Sequence, residues 1–341
     1  MIPPESRDRA PRIFYGAVII FIFALGFLAA WVARGFVIKK SQENSGDGLT
    51  LVRNGNYSFI NPLLGFDLPE EKSSEFTKLD ELLTAYATEQ KKEHNVTDIG
   101  IYFRELNTGK WVGVNENMEF SPASMLKVPI MITYFKLAEA NHSLLQKEIL
   151  NNSKVNLNEN EYFKSTSTIQ FGKKYTVEEL VRRMIVNSGN NSTNLLMQNI
   201  DPTIPKDIFD SLGIPEGKPN VIDYMSPKTF SLTFRTLYNA TFLNREFSER
   251  ALEILSQTNF YKGLAAGVPA SVKVAHKFGE REARLTSGGT AFRELHDCGI
   301  IYLTDNPYFL CVMTKGTNFD TLARVIAQTS KIVYDDRIRD K

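Results

Sequence analysis

Between Ile13 and Ala33 the chain reads IFYGAVIIFIFALGFLAAWVA, with no charged side chain. A helix of this length rises about 30 Å, the thickness of a bilayer's hydrocarbon core, so the segment reads as a membrane span. It is longer than the roughly 7–15 residues of a signal-peptide core, and no small-x-small cleavage site follows it, so an uncleaved anchor is expected. Arg7, Arg9 and Arg12 precede the span while Arg34, Lys39 and Lys40 follow it, so charge does not orient it. The short tail ahead of it makes an exported body on a cell membrane the simpler arrangement. The expected organisation is a tail over 1–12, a single-pass anchor over 13–36, a polar linker over 37–74 that includes SQENSGDG, and one domain over 75–341.

The rest of the chain has globular composition. Forty basic and thirty-nine acidic residues leave a net charge of +1, so no basic field points to a nucleic-acid partner. A helical pattern runs from about Phe76 to Glu93, with Leu79, Leu82, Leu83 and Tyr86 on one face. DIGIYFREL, the turn NTGK and WVGVN then read as a β-hairpin. From Ser124 to Asn259 the spacing is mostly helical, and the strands SVKVAHKF, HDCGIIYL and YFLCVMTK follow, with an amphipathic helix over Asp320–Tyr334. This order implies an α+β domain: the first and last segments share one antiparallel sheet with terminal helices packed on it, beside a mainly helical subdomain.

The two cysteines, Cys298 and Cys311, flank the turn signal TDNP. A hairpin closed on those four residues sets Cys311 opposite Ile300, which puts the thiols two residues out of register. Two buried thiols are therefore expected. The four histidines are scattered, no phosphate loop, His-Glu-x-x-His or paired-cysteine spacing occurs, and no metal or other cofactor is implied.

The chain contains a single Ser-x-x-Lys, Ser124 and Lys127 within SPASMLKVP. Three residues apart on a helix, the two side chains share a face. A serine hydroxyl needs a positioned base, and a lysine serves only when burial or a neighbouring cation keeps its amine neutral. The apolar neighbours Met125, Leu126, Val128 and Ile130 make burial reasonable, and free N–H groups at a helix start can hold an oxyanion. On its own the pair is matched by an ordinary helix cap. Downstream, NSGNNSTN offers two Ser-x-Asn matches, Ser188 with Asn190 and Ser192 with Asn194, and HKFG supplies Lys277 and Gly279 as the single Lys-x-Gly.

In that order, SPASMLKVP, SGN and HKFG resemble the Ser-x-x-Lys, Ser-Asp-Asn and Lys-Thr-Gly motifs of class A β-lactamases and penicillin-binding proteins. The surroundings, YFRELNTGKW, NLL and HDCGIIY, resemble the same family over about residues 80 to 334. The resemblance implies a β-lactamase or transpeptidase-like fold. It also implies Ser124 as acylated nucleophile, Lys127 as base, Ser188 as proton donor to the leaving nitrogen and Asn190 as amide binder. Lys277 would supply charge to Ser188 and to a substrate carboxylate, and the N–H groups of Ser124 and Glu280, beside Gly279, would form the oxyanion hole. Asn194 matches a structural asparagine of the family, which selects Ser188 over Ser192.

Three positions depart from the pattern. Gly189 replaces an aspartate, Phe278 replaces a hydroxyl residue that helps hold a substrate carboxylate, and Glu280 adds negative charge beside it. The Glu-x-x-x-Asn loop that positions the deacylating water in class A enzymes is shortened here. Glu216 and Asn220 keep its spacing, making Glu216 the candidate deacylating carboxylate. The expected function is a membrane-anchored serine hydrolase acting through an acyl-enzyme on β-lactams or peptidoglycan-type peptides. The alternatives are a slowly deacylating D-Ala carboxypeptidase or acyltransferase, and an inactive tethered binding domain.

Overall fold

The computed structural model describes residues 57–63, 72–165, 167–217, 221–284 and 289–339. The expected anchor over 13–36 lies outside these residues. Among the described residues no helix is long and apolar enough to cross a membrane.

Five strands form one antiparallel sheet: β1 (Asp98–Glu105), β2 (Trp111–Val114), β5 (Val274–Arg284), β6 (Thr290–Ile301) and β7 (Tyr308–Gly316), in the spatial order β2-β1-β7-β6-β5. A two-stranded ribbon, β3 (Glu148–Leu150) with β4 (Lys174–Thr176), stands apart from it. The sheet joins the first and last strands of the domain, as the α+β reading requires. Side chains alternate across its faces, and each face has its own core. On one, Ile99, Ile101, Phe103, Leu310 and Val312 pack against α1 (Thr77–Lys92) and α8 (Phe319–Arg339) through Leu79, Leu83, Leu322 and Ile326. Each such leucine contributes on the order of 1.5–3 kcal/mol by leaving water.

The opposite face, with Tyr102, Ala275, Ile300, Phe309 and Met313, carries the helical subdomain. Its described helices are α2 (Lys127–Ala140), α3 (Val177–Val186), α4 (Asn190–Met197), α5 (Thr203–Ser211), α6 (Pro227–Tyr238) and α7 (Arg245–Leu255). Local signals set their starts. Thr176 and Glu179 form a reciprocal capping box ahead of α3, and Ser226 caps α6 with Pro227 in its first turn.

Two features differ from the sequence expectation. Within the segment read as linker, Phe59 and Ile60 are buried, and the N–H groups of Ser58, Phe59 and Ile60 donate to the Glu249 carboxylate of α7. Two apolar side chains and a carboxylate that collects backbone donors thus dock this short stretch onto the domain. The β6–β7 turn is also longer than TDNP: Ile301 pairs with Tyr308, and Tyr302 leaves the ladder to bond the Lys273 carbonyl. The register accordingly shifts by two residues. Cys298 then faces Cys311 directly, and the two are joined in a disulfide rather than left as free thiols.

Candidate active site

Ser124 lies in a 3-10 turn, Ala123–Leu126, that runs directly into α2. Ala123 adopts a left-handed φ of 46°, a conformation costing an alanine on the order of 1 kcal/mol or more, which persists only when its surroundings enforce it. The enforcing contacts come from the sheet. His296 of β6, fully buried, bonds the Ser121 carbonyl through Nε2 at 2.9 Å and accepts the Thr314 N–H at Nδ1. This makes it the neutral Nε2–H tautomer, and burial holds its pKa down at about 4. On the other side, a Cβ at Gly279 would stand 3.1 Å from the Pro122 carbonyl and 3.3 Å from the Met125 nitrogen. Glycine there lets the edge strand β5 lie against the turn, beside Ser124.

Lys127, the first residue of α2, is buried under the turn, and its ammonium donates to the Ser188 carbonyl at 2.5 Å, to Ser188 Oγ at 3.2 Å and to Asn190 Oδ1 at 2.7 Å. Burial pushes its pKa down to about 8, against the opposing pull of Glu161 and Glu280. Lys277 reaches the same hydroxyl from β5: it is fully buried and donates to Ser188 Oγ at 2.9 Å and to the Phe278 carbonyl at 2.8 Å. Burial first, and then the neighbouring Lys127 charge, hold its pKa well below that of a free lysine. Ser188 has a left-handed φ of 53°, which turns its Oγ toward both amines. Two lysines from different halves of the domain therefore converge on one serine hydroxyl, an arrangement able to pass a proton between a nucleophile and a leaving group.

Ser124, Ser188 and Asn190 line a cleft of about 320 Å³. Asn190 opens α4, and Ser192 is buried within that helix. No aspartate stands at Gly189. The α4 N-terminus is instead bonded by Asn158 Oδ1, which accepts from the Asn190 N–H at 2.8 Å. Asn158 belongs to the irregular segment between β3 and β4, and that segment forms the cleft's remaining wall. Asn191 Oδ1 takes the Leu157 N–H, and the Glu280 carboxylate takes the Tyr162 and Phe163 N–H groups at 2.6 and 3.0 Å. Glu280 thus fastens this wall to β5; burial holds its pKa up, against the two N–H groups that favour the anion. Phe278 lines the cleft, stacked on Phe260 with ring centroids 4.2 Å apart and edge-on to Phe163, with the Lys277 amine 4.2 Å from its ring centroid.

Glu216 does not join the group. It is 59% exposed, ion-paired with Lys206 of α5 at 2.6 Å, and lines a different groove. The carboxylate that does line the cleft is Glu161, whose Oε1 accepts from Asn190 Nδ2 at 2.8 Å. Burial raises its pKa to about 6, partly offset by Lys127. Its segment has neither helical nor strand periodicity, so sequence reasoning passed over it. The one available signal was a pair of glutamates, Glu159 and Glu161, within the asparagine-rich run NLNENEYF. Among the described residues no group of three or more His, Cys, Asp or Glu side chains could hold a metal.

A sheet flanked by terminal helices on one face and a helical subdomain on the other, with a serine and two lysines at their junction, is the arrangement of a serine hydrolase. Residues 78–336 match the model of the beta-lactamase enzyme family, and the chain belongs to that family of serine hydrolases. Among solved structures the chain is similar to PBP-A, at 20% identity with a TM-score of 0.66, over 80% of this chain and 100% of that one. It is similar also to a PBP-A mutant in acyl-enzyme complex with penicillin G, at 21% identity and a TM-score of 0.65, over 80% and 100% of the two chains. A beta-lactamase from Xanthomonas campestris pv. campestris matches at 19% identity and a TM-score of 0.62, over 75% of this chain and 98% of that one. No curated protein matches the chain.

Proposed function

We propose that the protein is a membrane-anchored, class A β-lactamase-like hydrolase that forms an acyl-enzyme on Ser124 and cleaves β-lactam or related cell-wall amide bonds. The observation that carries this reading is the pair of hydrogen bonds from Lys127 and Lys277 to the Ser188 hydroxyl. In the proposed cycle the neutral Lys127 amine takes the Ser124 proton as Oγ attacks the carbonyl. The N–H groups of Ser124 and Glu280 hold the oxyanion. Ser188 gives its proton to the departing nitrogen and is reprotonated through the lysines, while Asn190 binds the substrate amide. The acyl-enzyme complex of the PBP-A mutant with penicillin G is consistent with such an intermediate.

Phe278 supplies no hydrogen-bond donor where the family holds a substrate carboxylate, which favours substrates that are neutral there. Export through the 13–36 segment agrees with the Cys298–Cys311 disulfide, since disulfides persist in oxidising compartments. The test is intact-mass analysis after exposure to a fluorescent penicillin and to a fluorophosphonate, alongside nitrocefin turnover. An adduct on Ser124 with turnover is expected. A long-lived adduct without turnover points to a carboxypeptidase or acyltransferase, and no adduct with either reagent rejects both enzyme readings in favour of a binding domain. Protease accessibility in intact cells tests the exported orientation.

A further inference from the structure

We infer that Glu161 is the general base that releases the acyl group, so this chain draws its deacylating carboxylate from the segment ahead of its second motif rather than from Glu216 behind it. The inference rests on the acyl-enzyme reading above and extends it to the second half of the cycle.

Four carboxylates stand in or near the cleft region, and their partners separate them. Glu216 is spent on Lys206 outside the cleft. Glu282 is bonded by Arg284 and Arg293. Both oxygens of Glu280 accept backbone N–H groups, from Tyr162 and Phe163. Glu161 differs from the other three: Oε1 is held by Asn190 Nδ2, whereas no donor stands in good hydrogen-bond geometry to the buried Oε2, and the Ser165 N–H near the carboxylate favours its anion. Glu161 lines the same cleft as Ser124, and a carboxylate there with a lone pair not taken up by a well-placed donor can bind and deprotonate a water.

The carboxylate is also held in place. Its segment is pinned on one side by Asn158 and Leu157, bonded to the first residues of α4, and on the other by the Glu280 clamp on the next two residues. Such fixation on both sides is what a catalytic group requires of its supporting residues. Because Asn190 donates to Glu161 and accepts from Lys127, the acylating and deacylating groups share one asparagine. A pKa raised by burial to about 6 keeps Glu161 largely ionised at neutral pH while strengthening it as a base.

The step balances without a further reactant. Water oxygen bonds to the acyl carbonyl carbon as its proton passes to Glu161, giving a tetrahedral oxyanion. Collapse breaks the bond to Ser124 Oγ, which recovers a proton from Glu161, directly or through Asn190-linked Lys127. Free enzyme and a carboxylic acid remain.

The test uses the full chain and its Glu161→Gln, Glu161→Ala and Glu216→Gln variants. Each is loaded with fluorescent penicillin and chased, and the Ser124 adduct is followed by intact mass. Glu161→Gln is expected to acylate within a few-fold of the unmodified chain and to lose the adduct about 10²–10⁴-fold more slowly, with the deacylation limb near pH 6 abolished. Glu216→Gln is expected to release it at the unmodified rate. Equal decay in Glu161→Gln and the unmodified chain overturns the inference. So does a Glu161→Gln chain in which acylation falls as far as deacylation, because that is the mark of a merely structural contact to Asn190. If Ser124 of the unmodified chain takes no adduct, the acyl-enzyme reading falls and this inference falls with it.

Discussion

Replacing Lys127 with methionine keeps the length and burial of the side chain but removes the amine that bonds Ser188 and Asn190. An ordinary lysine with its pKa at 10.5 would be neutral in only about 0.03% of molecules at pH 7; at about 8, the neutral fraction is near 10%. The buried position thus recovers about 3 kcal/mol of otherwise missing base. The sign follows from the charge: Lys127 attacks the Ser124 proton only when deprotonated, so the acylation rate should rise with pH, about fivefold between pH 7 and 8, and level off above pH 9. Losing the base should slow acylation by about 10²–10⁴-fold and erase this rise. Stopped-flow acylation by a fluorescent penicillin from pH 6 to 10, on the unmodified chain and K127M, measures both. A flat profile between pH 7 and 9, or K127M acylating at full rate, would refute the assignment of Lys127 as base.

Ser188→Ala should slow acylation by amides about 10²-fold or more while affecting an activated fluorophosphonate far less, because only the amide requires a protonated leaving group; paired rate measurements decide this. Phe278→Thr should cost about 3 kcal/mol of stability through loss of the stack on Phe260, while tightening competition by carboxylate-bearing penicillins; a thermal melt and an inhibition titration read the two effects. Replacing Cys298 and Cys311 together by alanine should cost about 2–3 kcal/mol, as expected for a bridge closing a short loop. Urea unfolding of the two proteins checks this, and identical midpoints would show that the pair does not stabilise the fold.

The sequence-readable parts of the molecule are those where periodicity or a fixed motif spacing reports structure. The hairpin of β1 and β2, the three late strands and the amphipathic α8 follow from alternation and helical spacing; Lys127 and Asn190 each open a helix, whereas Lys277 and Gly279 lie within β5. What escaped depends on pairing over distance. The Cys298–Cys311 contact required knowing that Tyr302 leaves the ladder, which is decided by its bonds to Lys273 and Phe59 rather than by the turn residues. Likewise Glu161 is placed by asparagine bonds to α4 and by Glu280, partners 29 to 118 residues away. Glu216 had the right spacing, but the side chain nearest it was a lysine of α5. The scattered histidines include His296, which holds the Ser124 turn to the sheet, and no spacing marks that contact.

The doubly tethered segment between β3 and β4 has an evolutionary consequence. Ser124, Lys127 and Lys277 sit on regular elements and Ser188 in the short connection between α3 and α4, whereas Glu161 is carried by a stretch that contributes little to either core. Drift within that stretch, or loss of its attachment to Glu280, can change how long a product stays bound without disturbing how it is first captured. On the proposed role of Glu161, one scaffold can yield a fast hydrolase or a long-lived acyl-enzyme by edits to a single loop, with no change at Ser124.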